Sequence, residues 1–141
     1  MLRISPELIR RISLHGERTY PEECCGALFG AEGEGIRTVL QIEEISNTQD
    51  VNRDRRFSLT PAQYRMAERK AQEMHLVLLG FYHSHPDHPA EPSQFDLEHA
   101  FPWFSYVIQT ISGGKSGIMT SWILDESRTR FNEQTISEET K

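Results

Sequence analysis

The stretch from His75 to Tyr82 is nearly all apolar and runs without a break into His83, Ser84 and His85, after which Pro86, Pro89 and Pro92 fall within seven residues. An apolar run of this kind suits a central strand covered on both faces. The prolines forbid any regular element beyond it. The strand therefore delivers two histidines to the start of a rigid loop, and the remaining chain has to supply layers above and below it.

Those layers are legible. Ser5 before Pro6 has the form of an N-cap with proline in the first turn, and Leu8, Ile9 and Ile12 recur at helical spacing, predicting a helix to about Glu17. Thr60, Pro61, Ala62 and Gln63 have the form of a capping box, predicting a second helix over Pro61–Met74. Cys24 to Phe29 is an apolar run closed by Gly30, and Ile36 to Ile45 alternates apolar with polar residues, so the two read as a hairpin. Phe104–Ile111 and Gly117–Leu124 read as a second hairpin about Ser112, Gly113, Gly114 and Lys115. Ser46 to Arg56 reads as polar loop, Phe57 and Leu59 as a short strand, and Asn132 to Lys141 as a frayed polar tail. No internal repeat or interdomain linker is visible. The pattern predicts one α/β domain over residues 1–141 with a mixed or mainly antiparallel sheet.

Composition excludes several classes. With a net charge of −6 and only one short basic cluster, Arg53 to Arg56, nucleic acid is not an expected partner. No apolar run approaches the roughly 20 residues that cross a bilayer, and Met1 to Pro6 lacks the long apolar stretch of a signal peptide, so no membrane partner is expected and the chain reads as cytosolic. Cys24 and Cys25 are adjacent and cannot form a conventional long-range staple. They read as small side chains packed on a strand.

The chemistry gathers after the central strand. His83 and His85 stand two apart, so both imidazoles project from one face and can converge on one ion. Ser93 resembles a helix N-cap with Asp96 in its first turn, and the proline-rich loop can bring that carboxylate back over the strand end. Two nitrogens and one carboxylate oxygen leave a fourth position open, the mark of catalytic rather than structural zinc. A proton carrier is still required, and a carboxylate is the usual one. Glu23 or its neighbour Glu22, where the chain approaches a buried strand, could serve equally well by composition.

The string His83-Ser84-His85-Pro86, six residues, Ser93, two residues, Asp96 matches without a gap the H-[ST]-H-P-x6-S-x2-D signature of the JAMM (MPN-plus, Mov34/MPN-type) zinc metalloproteases. Pro21, Glu22, Glu23, Cys24, Cys25 and Gly26 resemble that family's P-x-E-x-C-G stretch, and Phe104 to Ile108 with Ser121-Trp122 resemble the closing strands of its small bacterial members. The resemblance implies a curved sheet flanked by helices, akin to the cytidine deaminase fold, although the deaminases' H-x-E and C-x-x-C motifs are absent. It further implies Zn2+ on His83, His85 and Asp96, Glu23 as general base and then acid, and Ser93 as donor to the oxyanion. Capping by Ser93 does not exclude the last role, although one hydroxyl cannot donate to both. By the same resemblance, small members cut after the C-terminal Gly-Gly of ubiquitin-like sulfur-carrier proteins of the ThiS or MoaD type.

Two rivals make different demands. A non-catalytic MPN scaffold needs no ligands, and a closed metal site would recruit His88 or His99 as a fourth. Asp87, His88, Glu91, Glu98 and His99 otherwise read as solvated loop residues. Val51 to Arg56 could line a substrate groove.

Overall fold

Local chemistry sets each helix in the computed structural model, which describes residues 1–46 and 59–138. The Ser5 hydroxyl accepts from the Leu8 amide at 3.3 Å and opens α1 (Pro6–Thr19). Thr60 and Gln63 exchange side-chain and backbone bonds at 3.1 and 3.0 Å in a capping box that opens α2 (Pro61–Met74). α3 (Gln94–His99) is a short helix after the proline loop.

Around them run β1 (Leu2–Arg3), β2 (Cys25–Gly33), β3 (Ile36–Ile45), β4 (Val77–Pro86), β5 (Ser105–Ser112), β6 (Lys115–Leu124), β7 (Phe131–Gln134) and β8 (Ile136–Ser137). They form one 8-stranded sheet in the order β7-β6-β5-β4-β2-β3-β1-β8. β4 pairs parallel to β5, and β1 pairs parallel to β3 and β8, while the other neighbours are antiparallel, so the sheet is mixed as expected.

The period-two alternation of the strands divides the core. On one face Leu28, Tyr82 and Val107 meet Leu8 and Ile12 of α1. On the other, Ala27, Phe29, Phe81 and Tyr106 meet Ala67 and Ala71 of α2, whose small side chains let the helix sit close. Gly26 is required by a close approach: a Cβ there would lie 2.2 Å from the Tyr82 ring.

Two expectations at the chain's periphery are corrected. Asn132 to Ser137 is not a frayed tail, because β7 pairs with β6 and β8 pairs with β1, with only Thr135 between them. The segment thereby bridges both ends of the strand order and satisfies edge amides, Leu2 N–H donating to Thr135 O at 2.8 Å and Ile4 N–H to Ser137 O at 2.9 Å. Gln134 Oε1 accepts from Ser105 and Ser121 at 2.9 and 2.8 Å, tying this bridge into the sheet. Leu59 lies outside any strand. Phe57 and the Val51–Arg56 stretch lie outside the described residues, as do residues 139–141. Among the described residues no helix is long and apolar enough to cross a membrane.

Candidate active site

β4 extends through the whole His83-Ser84-His85-Pro86 string, and its alternation puts His83 and His85 on the α2 face with Phe81. Both are buried, at 3% and 6% exposure, and their Nε2 atoms lie 3.2 Å apart. The third member comes from α3. Ser93 Oγ accepts from the Asp96 amide at 3.0 Å, and the Asp96 carboxylate accepts from the Ser93 amide at 2.8 Å, so the cap aims Asp96 as well as starting the helix. Its Oδ1 lies 3.3 Å from His83 Nε2 and its Oδ2 3.2 Å from His85 Nε2.

These separations can be tested against a metal. Ligands about 2.0–2.1 Å from zinc at the corners of a tetrahedron stand roughly 3.3 Å apart, the spacing seen here. The donor orientation agrees. His85 Nδ1 lies 2.8 Å from the Pro89 carbonyl, which can only accept, so Nδ1 carries the proton and Nε2 turns a lone pair into the cluster. Burial raises the Asp96 carboxyl, but the neighbouring His83 and the Ser93 amide outweigh it and hold Asp96 well below the usual carboxylate range. Among the described residues these three are the group whose ligand atoms converge, so neither His88 nor His99 joins as a fourth.

The loop that returns Asp96 is anchored at many points. Asp87 is more than a solvated loop residue: it accepts from the Tyr20 hydroxyl at 2.6 Å and the Gly113 amide at 2.8 Å, and these bonds lower its pKa. Thr110 and Thr120 hydroxyls donate to the carbonyls of His88 and Ala90 at 2.9 and 2.6 Å. His99 is exposed, with its Nδ1 2.8 Å from Phe95 O and its ring stacked on Phe95.

Glu22 and Glu23, equivalent by composition, part company in the structure. Glu22 is exposed, whereas Glu23 is buried to 3%. Cys25 pairs with His83 in the antiparallel β2–β4 ladder, and the same register continued two residues places Glu23 opposite His85, on the face of the cluster. Ser84, to which the sequence pattern assigns no role, maintains that continuation: its Oγ accepts from the Cys24 amide at 2.9 Å and its amide donates to Cys24 O at 3.2 Å. The signal available in sequence was its position between two histidines, which sends it to the opposite face. Cys24 and Cys25 are both buried, Cys25 opening β2 and Cys24 lying just before it, and burial pushes the Cys24 thiol up to about 11 and the Cys25 thiol higher still.

The structure shows Ser93 as the cap of α3. As a cap its oxygen accepts with a lone pair, which leaves the hydroxyl proton available to a second acceptor.

Several known proteins are similar to this chain. The desampylase of Pyrococcus furiosus is 36% identical over 104 residues, covering 74% of this chain and 68% of that protein. The solution structure of a Salinibacter ruber protein superimposes with a TM-score of 0.76 at 40% identity, over 97% of this chain and 91% of the other. A Desulfitobacterium hafniense protein, also a solution structure, gives a TM-score of 0.83 at 27% identity, over 96% and 91%. The profile of prokaryotic homologs of the JAB domain matches residues 5–125, and the chain belongs to that family.

Proposed function

We propose that this protein is a zinc-dependent isopeptidase or peptidase that cuts after the C-terminal Gly-Gly of a ubiquitin-like protein of the ThiS or MoaD sulfur-carrier type. The observation that carries the reading is the convergence of His83, His85 and Asp96 at tetrahedral-edge spacing, with the buried Glu23 two residues before the adjoining strand β2. The similarity to a desampylase supports a hydrolase acting on a ubiquitin-like protein.

His83 and His85 would hold the metal through Nε2 and Asp96 through its carboxylate. Zinc bound there supplies Lewis acidity and lowers the pKa of water towards neutrality. Glu23 takes the proton of the attacking water on its carboxylate and returns it to the leaving nitrogen, which cannot depart as an anion. Burial keeps that carboxylate away from competing solvent. Pro89 holds the His85 proton on Nδ1, so the ring cannot turn its donor towards the substrate. The free proton of the Ser93 hydroxyl serves the carbonyl oxygen as charge develops on it, while its lone pair maintains the helix cap.

The test is to incubate zinc-loaded protein with ThiS- or MoaD-type carriers bearing an extension after Gly-Gly and to weigh the products. A single cut after the second glycine is expected. A non-catalytic scaffold forecasts intact carrier at every time point.

A further inference from the structure

Beside the cluster lies a cavity of about 230 Å³ whose rim includes His83 and Asp96. Phe81, Tyr106 and Ile108 form its floor, and Phe101 and Phe131 its walls. Pockets for whole small molecules span roughly 300–1,000 Å³, so this one is the size of a single side chain. It is also held open. The Phe101 amide donates to the Tyr106 hydroxyl at 2.8 Å, and Arg128 Nη2 donates to Ala100 O at 3.0 Å with its guanidinium 5.5 Å from the Phe101 ring centroid. The Phe131 ring meets Tyr106 edge-on at 6.0 Å.

A largely apolar cavity touching two of the three candidate ligands is placed to take a side chain flanking the scissile bond. His85 and Ser93 border a second hollow, which shares Pro92 with this one. Under the function proposed above, on which this step rests, the acyl side of the bond is Gly-Gly and has no side chain to offer. We infer that the cavity receives the side chain of the residue immediately after the diglycine, and that this residue is apolar, of leucine or phenylalanine size. The fold then selects its leaving group as well as its Gly-Gly tail, because a small residue there would leave aromatic walls wet, and a carboxylate would set its charge beside Asp96 and Glu98, which also line the cavity, while Arg128 is engaged by Ala100 O.

Two readouts on zinc-loaded protein test this. In the first, carriers ending in Gly-Gly-Phe, Gly-Gly-Leu, Gly-Gly-Ala and Gly-Gly-Asp are cleaved in competition and followed by mass spectrometry, with Phe and Leu expected to lead Ala and Asp by about tenfold or more. In the second, binding of Gly-Gly-Phe and Gly-Gly-Asp peptides is measured by calorimetry on Glu23→Gln protein, which requires no turnover. The Phe peptide should bind at least about tenfold tighter, and Phe101→Ala, at a half-exposed position, should shrink that preference. Equal cleavage of all four carriers overturns the pocket assignment and leaves the diglycine reading standing. Binding preference without any cleavage supports the pocket and sinks the diglycine reading. Equal or undetectable binding of the two peptides overturns the pocket whatever the carriers do.

Discussion

His85 donates a hydrogen bond from Nδ1–H to the carbonyl of Pro89, 2.8 Å away and four residues on, so the proline loop fixes the tautomer of the histidine from which it departs. With Nε2 held as a lone pair 3.2 Å from His83 Nε2 and from Asp96 Oδ2, a metal-free cluster places donor atoms against one another. One zinc ion per chain is therefore expected by elemental analysis of purified protein. His85→Ala and Asp96→Ala should each remove most of it, since two remaining ligands make a poor site. Asp87→Ala should keep it, because Asp87 engages Tyr20 and Gly113 instead of the cluster. Full zinc in Asp96→Ala would refute the ligand set.

Glu23→Gln should retain fold and zinc yet lose about two to four orders of magnitude in turnover, the range removed with a general acid–base. The amide keeps the shape of the side chain and cannot carry the proton. Glu22→Gln is the matched control, exposed and one residue away, and should stay within about threefold of wild type, the usual context-dependence of such effects. Rates measured on zinc-saturated proteins decide between the two glutamates. Near-normal turnover in Glu23→Gln would remove it from the mechanism.

How far the sequence reaches can be judged from residues at either extreme. Thr60 and Gln63 announce α2 because both halves of the capping box are local, and Ser112 to Lys115 announce a hairpin because turn chemistry is local too. His83, His85 and Asp96 were legible because strand alternation and one helix turn suffice to aim them. Phe131 to Ser137 was not legible. Asn132, Glu133 and Gln134 carry no apolar alternation, and their order comes from backbone bonds to strands far away in sequence, such as Leu2 N–H to Thr135 O. The same holds for Asp87, which reads as solvated until the fold brings Tyr20 and Gly113 to it. Glu23 is intermediate: its burial and its place opposite His85 depend on the β2–β4 register, to which composition is blind.

Ser93 combines a cap with a proton, and two substitutions separate them. Glycine is nearly as good a cap as serine, costing only a few tenths of a kcal/mol, whereas alanine costs about 1 kcal/mol. Neither retains the hydroxyl. Ser93→Gly and Ser93→Ala should therefore differ in thermal stability but share a loss of roughly 10²–10³ in kcat, the range for removing one oxyanion donor. Melting curves and rates on the same zinc-loaded samples test this. Activity that tracks stability across the pair would show that capping alone explains Ser93.

His15 supplies a pH dependence on the opposite face of the sheet. It is buried on α1, with Nδ1 2.7 Å from the Tyr82 hydroxyl and Nε2 3.6 Å from Glu44, which is itself paired with Arg18 at 2.7 Å. Burial lowers its pKa, Glu44 pulls it back up, and Arg18 lowers it again, with a net shift below the ordinary value. Burial also keeps the Tyr82 hydroxyl protonated, so the bond between them persists near neutrality. In the unfolded chain His15 titrates near 6.5, so below that pH the unfolded state binds more protons than the folded one. The stabilisation is complete above about pH 6.5 and is lost as pH falls through the lower folded value. Glu44, held low chiefly by Arg18, stays ionised across this window and adds no slope of its own. Urea midpoints of metal-stripped protein should therefore fall on going from about pH 7 to pH 5. His15→Gln, which can still bond to Tyr82 but cannot charge, should show a flatter profile. Whatever the metal cluster contributes is common to both proteins and cancels in the difference. Parallel profiles for wild type and His15→Gln would show that His15 is not the group whose protonation opposes folding.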